Sequence, residues 1–256
     1  MTARQDSLLG AVGEVARVAG DVAMRHYRGV LTVETKADGS PVTIADRAAE
    51  RAARDWLERR FPEDSIEGEE LGLSRSGAKR RWLIDPIDGT KSFVRGVPLW
   101  GTLVAVTEGN AVLAGCAYFP AVSEIVVAAR GEGCWWNDAR AHVSDVGNIE
   151  RATVLTTTEL IKEPERLAGW NRLSGRAGLS RTWGDCFGYL LVTTGRAEVM
   201  TDAEMHDWDS AALMPIIEEA GGVFTDWNGT VTAFGGHAVA TNAALANVAR
   251  DLLRAP

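Results

Sequence analysis

Two aspartates, Asp85 and Asp88, follow directly on an apolar, strand-like stretch of the chain. Residues 82–84 are typical of the end of a buried strand, Pro86 cannot continue a strand ladder, and Gly89 allows the backbone to turn. We therefore expect both carboxylates at the mouth of the strand. Magnesium ions prefer oxygen ligands, usually one or two carboxylates together with the phosphate oxygens of a substrate. The pattern predicts a site for magnesium and phosphate.

The residues after Asp88 could complete the phosphate site. If Gly89, Thr90 and Lys91 open a helix, their backbone N–H groups point towards the same phosphate. Two aspartates three positions apart are also common on solvated turns, so the pair by itself leaves both interpretations open. Other segments of the chain favour the functional one.

Three further acidic segments accompany this one along the chain. Residues 36–46 end in Asp46, residues 66–70 contain Glu69, and residues 206–212 contain Asp209. The four segments, in this order, resemble the inositol monophosphatase-like superfamily of magnesium-dependent, lithium-sensitive phosphatases over nearly the whole chain. Within that superfamily, the sequences of residues 85–93 and 183–189 are most similar to those of the bacterial and plant histidinol-phosphate phosphatases.

The resemblance implies a set of metal ligands. They are Glu69, Asp85, the carbonyl of Ile87, Asp88, Thr90 and Asp209. Carboxylates about 4 Å apart repel each other by on the order of 4 kcal/mol per pair at an effective dielectric constant near 20. Two or three magnesium ions per site would remove that repulsion. Considered alone, Glu69 could instead be a solvated acid, and Asp209 a residue that stabilises a helix N-terminus.

The resemblance also implies catalytic roles. Asp46 accepts a hydrogen bond from the Thr90 hydroxyl, and Thr90 with Glu69 orients the attacking water. No covalent enzyme intermediate is then required. The phosphate is expected to bind at Gly89 and Thr90.

Substrate choice is expected to depend on further acidic residues. In the superfamily, an acidic residue seven positions before the last metal aspartate contacts the substrate, and here that residue is Asp202. Asp88, Asp185 and Glu204 complete the predicted substrate-binding group, although Asp202 and Glu204 could also be simply solvated. Carboxylates form charge-assisted hydrogen bonds with ammonium groups. This suits L-histidinol phosphate, and an inositol 1-phosphate is the alternative.

Other classes of protein fit the motifs less well. A phosphatase of the haloacid dehalogenase type carries Asp-x-Asp-Gly-Thr on its first strand, whereas here two residues separate the aspartates. A dinucleotide-binding enzyme needs G-x-G-x-x-G after a strand, which this sequence lacks. A metal-binding protein without activity is disfavoured, because every side-chain ligand position carries a competent residue.

The composition excludes further classes. The 256 residues are 46% hydrophobic and 24% charged with a net charge of −8, which is ordinary for a globular protein and argues against a nucleic-acid surface. No window approaches the roughly 18 apolar residues of a membrane span, and no signal peptide is evident. The cysteine spacing predicts three reduced thiols and a cytoplasmic location. The resemblance suggests a homodimer that acts on a small phosphate monoester.

The elements that must position these residues alternate between helices and strands. Helical periodicity predicts helices at residues 7–27, 43–60, 159–173, 186–195 and 207–220. Strand-like stretches lie at residues 30–35, 99–107, 111–118, 124–129, 153–157, 181–183 and 198–200. This order predicts an α/β (α+β layered) fold, and the resemblance implies the alternating helix and sheet layers of the inositol monophosphatase-like sugar phosphatases. We expect a boundary near residue 150, with domains 1–150 and 151–256 both contributing to one site.

Overall fold

A computed structural model describes residues 7–29, 33–35 and 41–254, which form seven α-helices, three short 3-10 helices and fifteen strands. The helices are α1 (Leu8–Met24), α2 (Ile44–Arg60), α3 (Thr90–Val94), α4 (Pro164–Arg176), α5 (Asp185–Thr193), α6 (Asp207–Glu219) and α7 (Ala246–Arg254). The strands are β1 (Val33–Thr35), β2 (Pro41–Thr43), β3 (Ser65–Gly68), β4 (Gly72–Leu73), β5 (Arg80–Asp88), β6 (Gly101–Glu108), β7 (Ala111–Phe119), β8 (Glu124–Ala129), β9 (Gly133–Trp136), β10 (Ala139–Arg140), β11 (Thr153–Thr156), β12 (Leu179–Arg181), β13 (Val199–Asp202), β14 (Val223–Thr225) and β15 (Ala238–Thr241).

Two large sheets dominate the architecture. The first has eight strands in the order β10-β9-β8-β7-β6-β5-β3-β4, and only its β3–β5 pair is parallel. The second has five strands in the order β12-β11-β13-β15-β14, with β11 parallel to both of its neighbours. Strands β1 and β2 form a separate antiparallel pair.

The first sheet is covered by helices on both faces. Successive strand residues point to opposite faces, so Trp82 and Ile84 of β5 pack with α1 and α2. Leu83, which lies between them in sequence, joins a core with residues of α5 and α6 such as Leu190 and Ile216. Burial on both faces explains why the apolar stretch before Asp85 is continuous rather than alternating.

The second sheet has the same two-sided cover. Val154, Val199 and Val239 pack against the outer helices α4 and α7. Leu155 and Met200 of the same strands face α5 and α6. The order of layers is therefore α1 and α2, first sheet, α5 and α6, second sheet, α4 and α7, which confirms the predicted α/β layered fold.

Several predicted elements differ in their bounds. The helix predicted at residues 159–173 begins only at Pro164, a residue that suits the first position of a helix. The strand predicted at residues 181–183 is β12, two residues earlier. Of the strand predicted at residues 30–35, Val33–Thr35 is observed, and residues 30–32 lie outside the described residues.

The predicted division at residue 150 lies between Arg140, the end of the first large sheet, and Thr153, where the second begins. Helix α6 nevertheless packs on strands of both sheets, so the two-domain division stays a proposal. None of the described helices combines the length and apolar composition needed to cross a bilayer.

Candidate active site

Three aspartates converge where strand β5 ends and helix α6 begins. Asp85 and Asp88 lie at the end of β5, and Asp209 lies in the first turn of α6. One carboxylate oxygen from each lies within 4.8 Å of the others. Asp85 is buried and the other two are partly buried. Three acidic groups thus share a small volume that is largely withdrawn from water.

An irregularity in β5 brings Asp85 and Asp88 to the same site. In a regular strand, residues three apart point to opposite faces. Here the register between β5 and β6 shifts between the two aspartates. Pro86, which lies between them, has no N–H group to donate to the neighbouring strand. Ile87 N–H donates to Asp85 Oδ1 at 2.9 Å, and the Thr102 hydroxyl donates to the Pro86 carbonyl at 2.8 Å. These bonds hold the distorted segment in place.

Helix α6 presents Asp209 from its first turn. Asp209 Oδ2 accepts a hydrogen bond from the backbone N–H of His206 at 2.8 Å, a contact typical of a helix start. Asp209 therefore stabilises a helix N-terminus, which is one of the two roles that the sequence predicts for it. A carboxylate has lone pairs to spare, so this contact leaves Asp209 able to bind a second partner.

Burial and mutual repulsion raise the pKa of all three aspartates. Burial is the larger cause, and it raises the pKa of Asp85 well above its ordinary value and the pKa of Asp88 and Asp209 to about 7. The charge of Glu69 adds to the pKa increase at Asp85, and that of Asp209 adds to the increase at Asp88. Within residues 7–29, 33–35 and 41–254, no lysine or arginine forms an ion pair with any of the three.

This donor set fits a magnesium ion. Closely spaced carboxylate oxygens are the hard ligands that Mg²⁺ prefers. A divalent cation would also remove the repulsion that raises the pKa of Asp85, Asp88 and Asp209. The chemistry of the donors therefore agrees with the metal implied by the sequence resemblance.

Glu69 lies beside this group. It follows β3 directly, and its backbone N–H donates to the carbonyl of Ile84 on β5 at 3.1 Å. Its charge contributes to the raised pKa of Asp46, Asp85 and Asp209. Glu69 therefore lies near Asp85, but its carboxylate is not one of the three whose oxygens converge within 4.8 Å.

The expected hydrogen bond from Thr90 to Asp46 is not formed. The Thr90 hydroxyl donates to the carbonyl of Ile87 at 3.0 Å. Asp46, fully buried in the first turn of α2, accepts instead from the backbone N–H and the hydroxyl of Thr43, at 2.8 and 2.6 Å. This local capping arrangement satisfies one Asp46 oxygen within its own helix, while Asp46 Oδ1 is buried without a partner among the described residues. The preceding residues 36–40 lie outside that set.

Gly89 is required by both conformation and space. Its φ of 87° lies in the left-handed region, and it precedes the first residue of α3. A Cβ atom here would lie 2.8 Å from the Leu99 carbonyl oxygen and 3.2 Å from Asp185 Oδ2. The helix opens at Thr90, so the first N–H groups of α3 have no partner within the helix. This arrangement is suitable for an anion such as phosphate.

A cavity of about 230 Å³ extends from the aspartates towards the surface. Asp88 and Asp209 line its inner end. The three acids predicted to bind substrate, Asp185, Asp202 and Glu204, all line the same cavity. The structure therefore brings the predicted substrate group and two of the three clustered aspartates together around one space.

Asp185 and Asp202 are held by a residue that the sequence interpretation missed. The backbone N–H of Asp185 donates to Thr157 Oγ1 at 2.8 Å, and Thr157 N–H donates to Asp202 Oδ1 at 3.3 Å. Tyr189 donates its hydroxyl to Asp202 Oδ2 at 3.0 Å. Burial is the largest cause that raises the pKa of both carboxyls to about 7. No signal marked Thr157, because a threonine at a strand end is common.

Glu204 lies at the rim and is paired. Lys162 Nζ lies 3.1 Å from Glu204 Oε1, and both side chains are largely exposed. Such exposed pairs contribute little to stability and are easily replaced by water. The role of Glu204 in substrate binding stays a prediction.

Cys186 is not suited to act as a nucleophile. Its backbone N–H donates to Asp88 Oδ2 at 2.5 Å, while its buried thiol packs within an apolar core. Burial, followed by the charge of Asp88, raises the pKa of the thiol well above its ordinary value. A thiol that stays protonated has little nucleophilicity, so the contribution of Cys186 is to hold Asp88.

The layered fold and the carboxylate cluster beside a helix start together define a metal-dependent phosphatase. The chain belongs to the inositol monophosphatase family, which matches residues 4–255. Magnesium dependence is a property of this family.

Several phosphatases are similar to this chain in sequence or in structure over most of its length. A histidinol-phosphatase of Chlorobaculum parvum is 43% identical over 218 residues, covering 84% of each chain. A fructose-1,6-bisphosphatase/inositol-1-monophosphatase of Thermotoga maritima is 33% identical, covering 84% of this chain and 83% of its own. Among solved structures, an inositol monophosphatase from Zymomonas mobilis superposes with a TM-score of 0.86 at 32% identity and 96% coverage of both chains.

Proposed function

We propose that this protein hydrolyses L-histidinol phosphate to L-histidinol and phosphate. The observation that carries the proposal is the single cavity that joins the aspartate cluster to Asp185 and Asp202. A phosphate bound at the inner end would leave its alcohol portion beside two carboxyls, where an ammonium group can form charge-assisted hydrogen bonds. Histidinol-phosphatases of Chlorobaculum parvum, Streptomyces coelicolor and Mycobacterium tuberculosis, 37–43% identical to this chain, support the same substrate.

Five groups of the chain would bind the metal ions. Glu69, Asp85, Asp88, Asp209 and the Ile87 carbonyl would hold two or three magnesium ions. When bound, these ions would supply Lewis acidity towards the phosphate and its leaving oxygen.

The remaining groups would position the reactants. The N–H groups at the start of α3, made possible by Gly89, would bind phosphate oxygens. Thr90 and Glu69 would orient the attacking water. Asp46, whose Oδ1 is buried without a partner among the described residues, would accept a hydrogen bond.

Phosphate release from a panel of substrates tests the proposed function. We expect the highest kcat/KM on L-histidinol phosphate, compared with inositol 1-phosphate, fructose 1,6-bisphosphate and adenosine 3',5'-bisphosphate. The alternative is an inositol-1-phosphatase, which the Thermotoga maritima relative supports. A wild-type preference for the inositol ester would select that alternative.

Neutralising Asp185 or Asp202 should change the choice of substrate more than the rate. We expect Asp185→Asn and Asp202→Asn to lose roughly 1.5–3 kcal/mol of binding with a cationic substrate, because a charge-assisted contact becomes a neutral one. A neutral polyol phosphate should lose less. The measurement is the ratio of kcat/KM for L-histidinol phosphate over inositol 1-phosphate. Equal losses on both substrates would leave the two acids with a structural or general electrostatic role.

Removing the Thr90 hydroxyl should slow the chemical step. We expect Thr90→Ala to lower kcat by roughly 10²- to 10⁴-fold if this hydroxyl handles a proton of the attacking water. Thr90→Ser keeps the donor to the Ile87 carbonyl and should retain most of the activity. If Thr90→Ala and Thr90→Ser had the same kcat, the hydroxyl would have no catalytic role.

We also propose a homodimer and a cytoplasmic location. The three cysteines are free and buried, which supports a reducing compartment. Light scattering coupled to gel filtration would give the oligomeric state directly. A monomer at micromolar concentration would contradict the dimer.

A further inference from the structure

Besides Asp46, helix α2 carries two further charged residues on its buried face. Glu50 is fully buried and Arg54 is 8% exposed. Glutamate and arginine four positions apart usually form a solvated pair on a helix surface. Here the pair points inward, one helical turn beyond Asp46, and reaches the chain segment that carries Glu69.

Glu50 and Arg54 together bind the turn that follows Glu69. Glu50 accepts hydrogen bonds from the backbone N–H groups of Glu70 at 2.7 Å and Leu71 at 3.2 Å. It also accepts from Arg54 Nε at 2.8 Å. Arg54 donates through Nη2 to the carbonyl of Gly72. The pair therefore holds both ends of the turn between β3 and β4.

Gly68 makes this contact possible. A Cβ atom at Gly68 would lie 2.1 Å from Glu50 Oε1 and 2.3 Å from Glu50 Cδ. Any larger residue would displace the carboxylate from the turn. The residue before Glu69 is thus a glycine for reasons of space, since its backbone does not adopt the left-handed conformation.

We propose that Glu50 and Arg54 are positioning residues for Glu69. The backbone N–H of Glu69 is bonded to Ile84 on one side, and the next two N–H groups are bonded to Glu50. The backbone on both sides of Glu69 is thereby fixed, which keeps the Glu69 carboxylate next to Asp85. This inference rests on the proposed function, because it takes Glu69 as a ligand of magnesium.

The test is magnesium binding by metal-free protein, measured by isothermal titration calorimetry. We expect Glu50→Gln and Arg54→Lys to weaken magnesium affinity by roughly 10- to 100-fold, as loss of a group that orients a ligand typically does. Glutamine loses the charge that pairs with Arg54, and lysine cannot reach both Glu50 and Gly72. Glu58→Gln, an exposed glutamate on the same helix, is the matched control and should bind as the wild type does.

Two further outcomes are distinguishable. If Glu50→Gln does not fold by circular dichroism, Arg54→Lys and Gly68→Ala decide by the same measurement, and both should bind magnesium more weakly. Folded variants with wild-type affinity would overturn the positioning role alone. Absence of magnesium binding by the wild-type protein would overturn the proposed metal site, and this inference with it.

Discussion

Asp85→Asn is expected to lower kcat by about 10³-fold while making the metal-free protein more stable. The substitution removes a buried charge from the centre of the carboxylate cluster. Ligand loss should cost several kcal/mol of transition-state stabilisation, and each 1.36 kcal/mol is a factor of ten. In the metal-free state the same substitution removes repulsion among Asp85, Asp88 and Asp209, so the free energy of unfolding should increase.

Steady-state kinetics and thermal unfolding without metal measure the two effects separately. Asp55→Asn on the exposed surface of α2 is a control that should change neither. Near-wild-type kcat in Asp85→Asn would remove Asp85 from the ligand set. A lower melting temperature of the metal-free variant would mean that Asp85 is held by favourable contacts that outweigh repulsion.

Removal of magnesium is expected to abolish turnover and to make stability depend on pH. Asp88 and Asp209 have a folded-state pKa of about 7, above the value near 3.9 of an unfolded aspartate. The folded protein therefore binds more protons than the unfolded chain between these values. Stability of the metal-free protein is greatest below about pH 4 as far as these groups are concerned, and it is lost as the pH rises through about 7.

Melting temperatures at pH 5 and pH 7.5, with and without magnesium, check this prediction. We expect the metal-free protein to melt lower at pH 7.5, and magnesium to remove most of the difference. About 1 kcal/mol corresponds to roughly 2–4 °C in a protein of this size. Full activity of a sample shown by elemental analysis to be free of metal would refute the mechanism as a whole.

Much of the architecture could be read from local patterns. The helices at Leu8–Met24 and Ile44–Arg60 follow from apolar residues at helical spacing, and the strands at Ala111–Phe119 and Glu124–Ala129 from β-branched and apolar stretches between turns. The start of α4 was predicted five residues early, because residues 159–163 have helical propensity, whereas residues 160–163 line the cavity instead. Strands β14 and β15 were missed because short, largely buried strands have no alternation to detect.

The acidic residues around the cavity could be named in advance, but their hydrogen bonds could not. Motif and order were enough to single out Asp85, Asp88 and Asp209, which the fold brings within 4.8 Å. The partner of Thr90 was predicted as Asp46 and is Ile87, because a capping contact with Thr43 is available within the same helix start. Which donor reaches a carboxylate depends on the distances and angles of the competing groups, and a sequence motif does not give these.

The sequence by itself determined which residue types lie at the end of β5 and at the start of α6. These residue types indicated hard oxygen ligands for a metal and a family of phosphatases. Only the tertiary structure decided that Glu50 and Arg54 face inward. In the sequence, a pair of opposite charges at positions i and i+4 is typical of a helix surface. Such a pair can be buried only where a distant turn supplies N–H groups and a carbonyl that replace its hydrogen bonds to water. The match between this charged pair and the turn arises only when the helix and the turn pack together, so it cannot be predicted from the periodicity of the sequence.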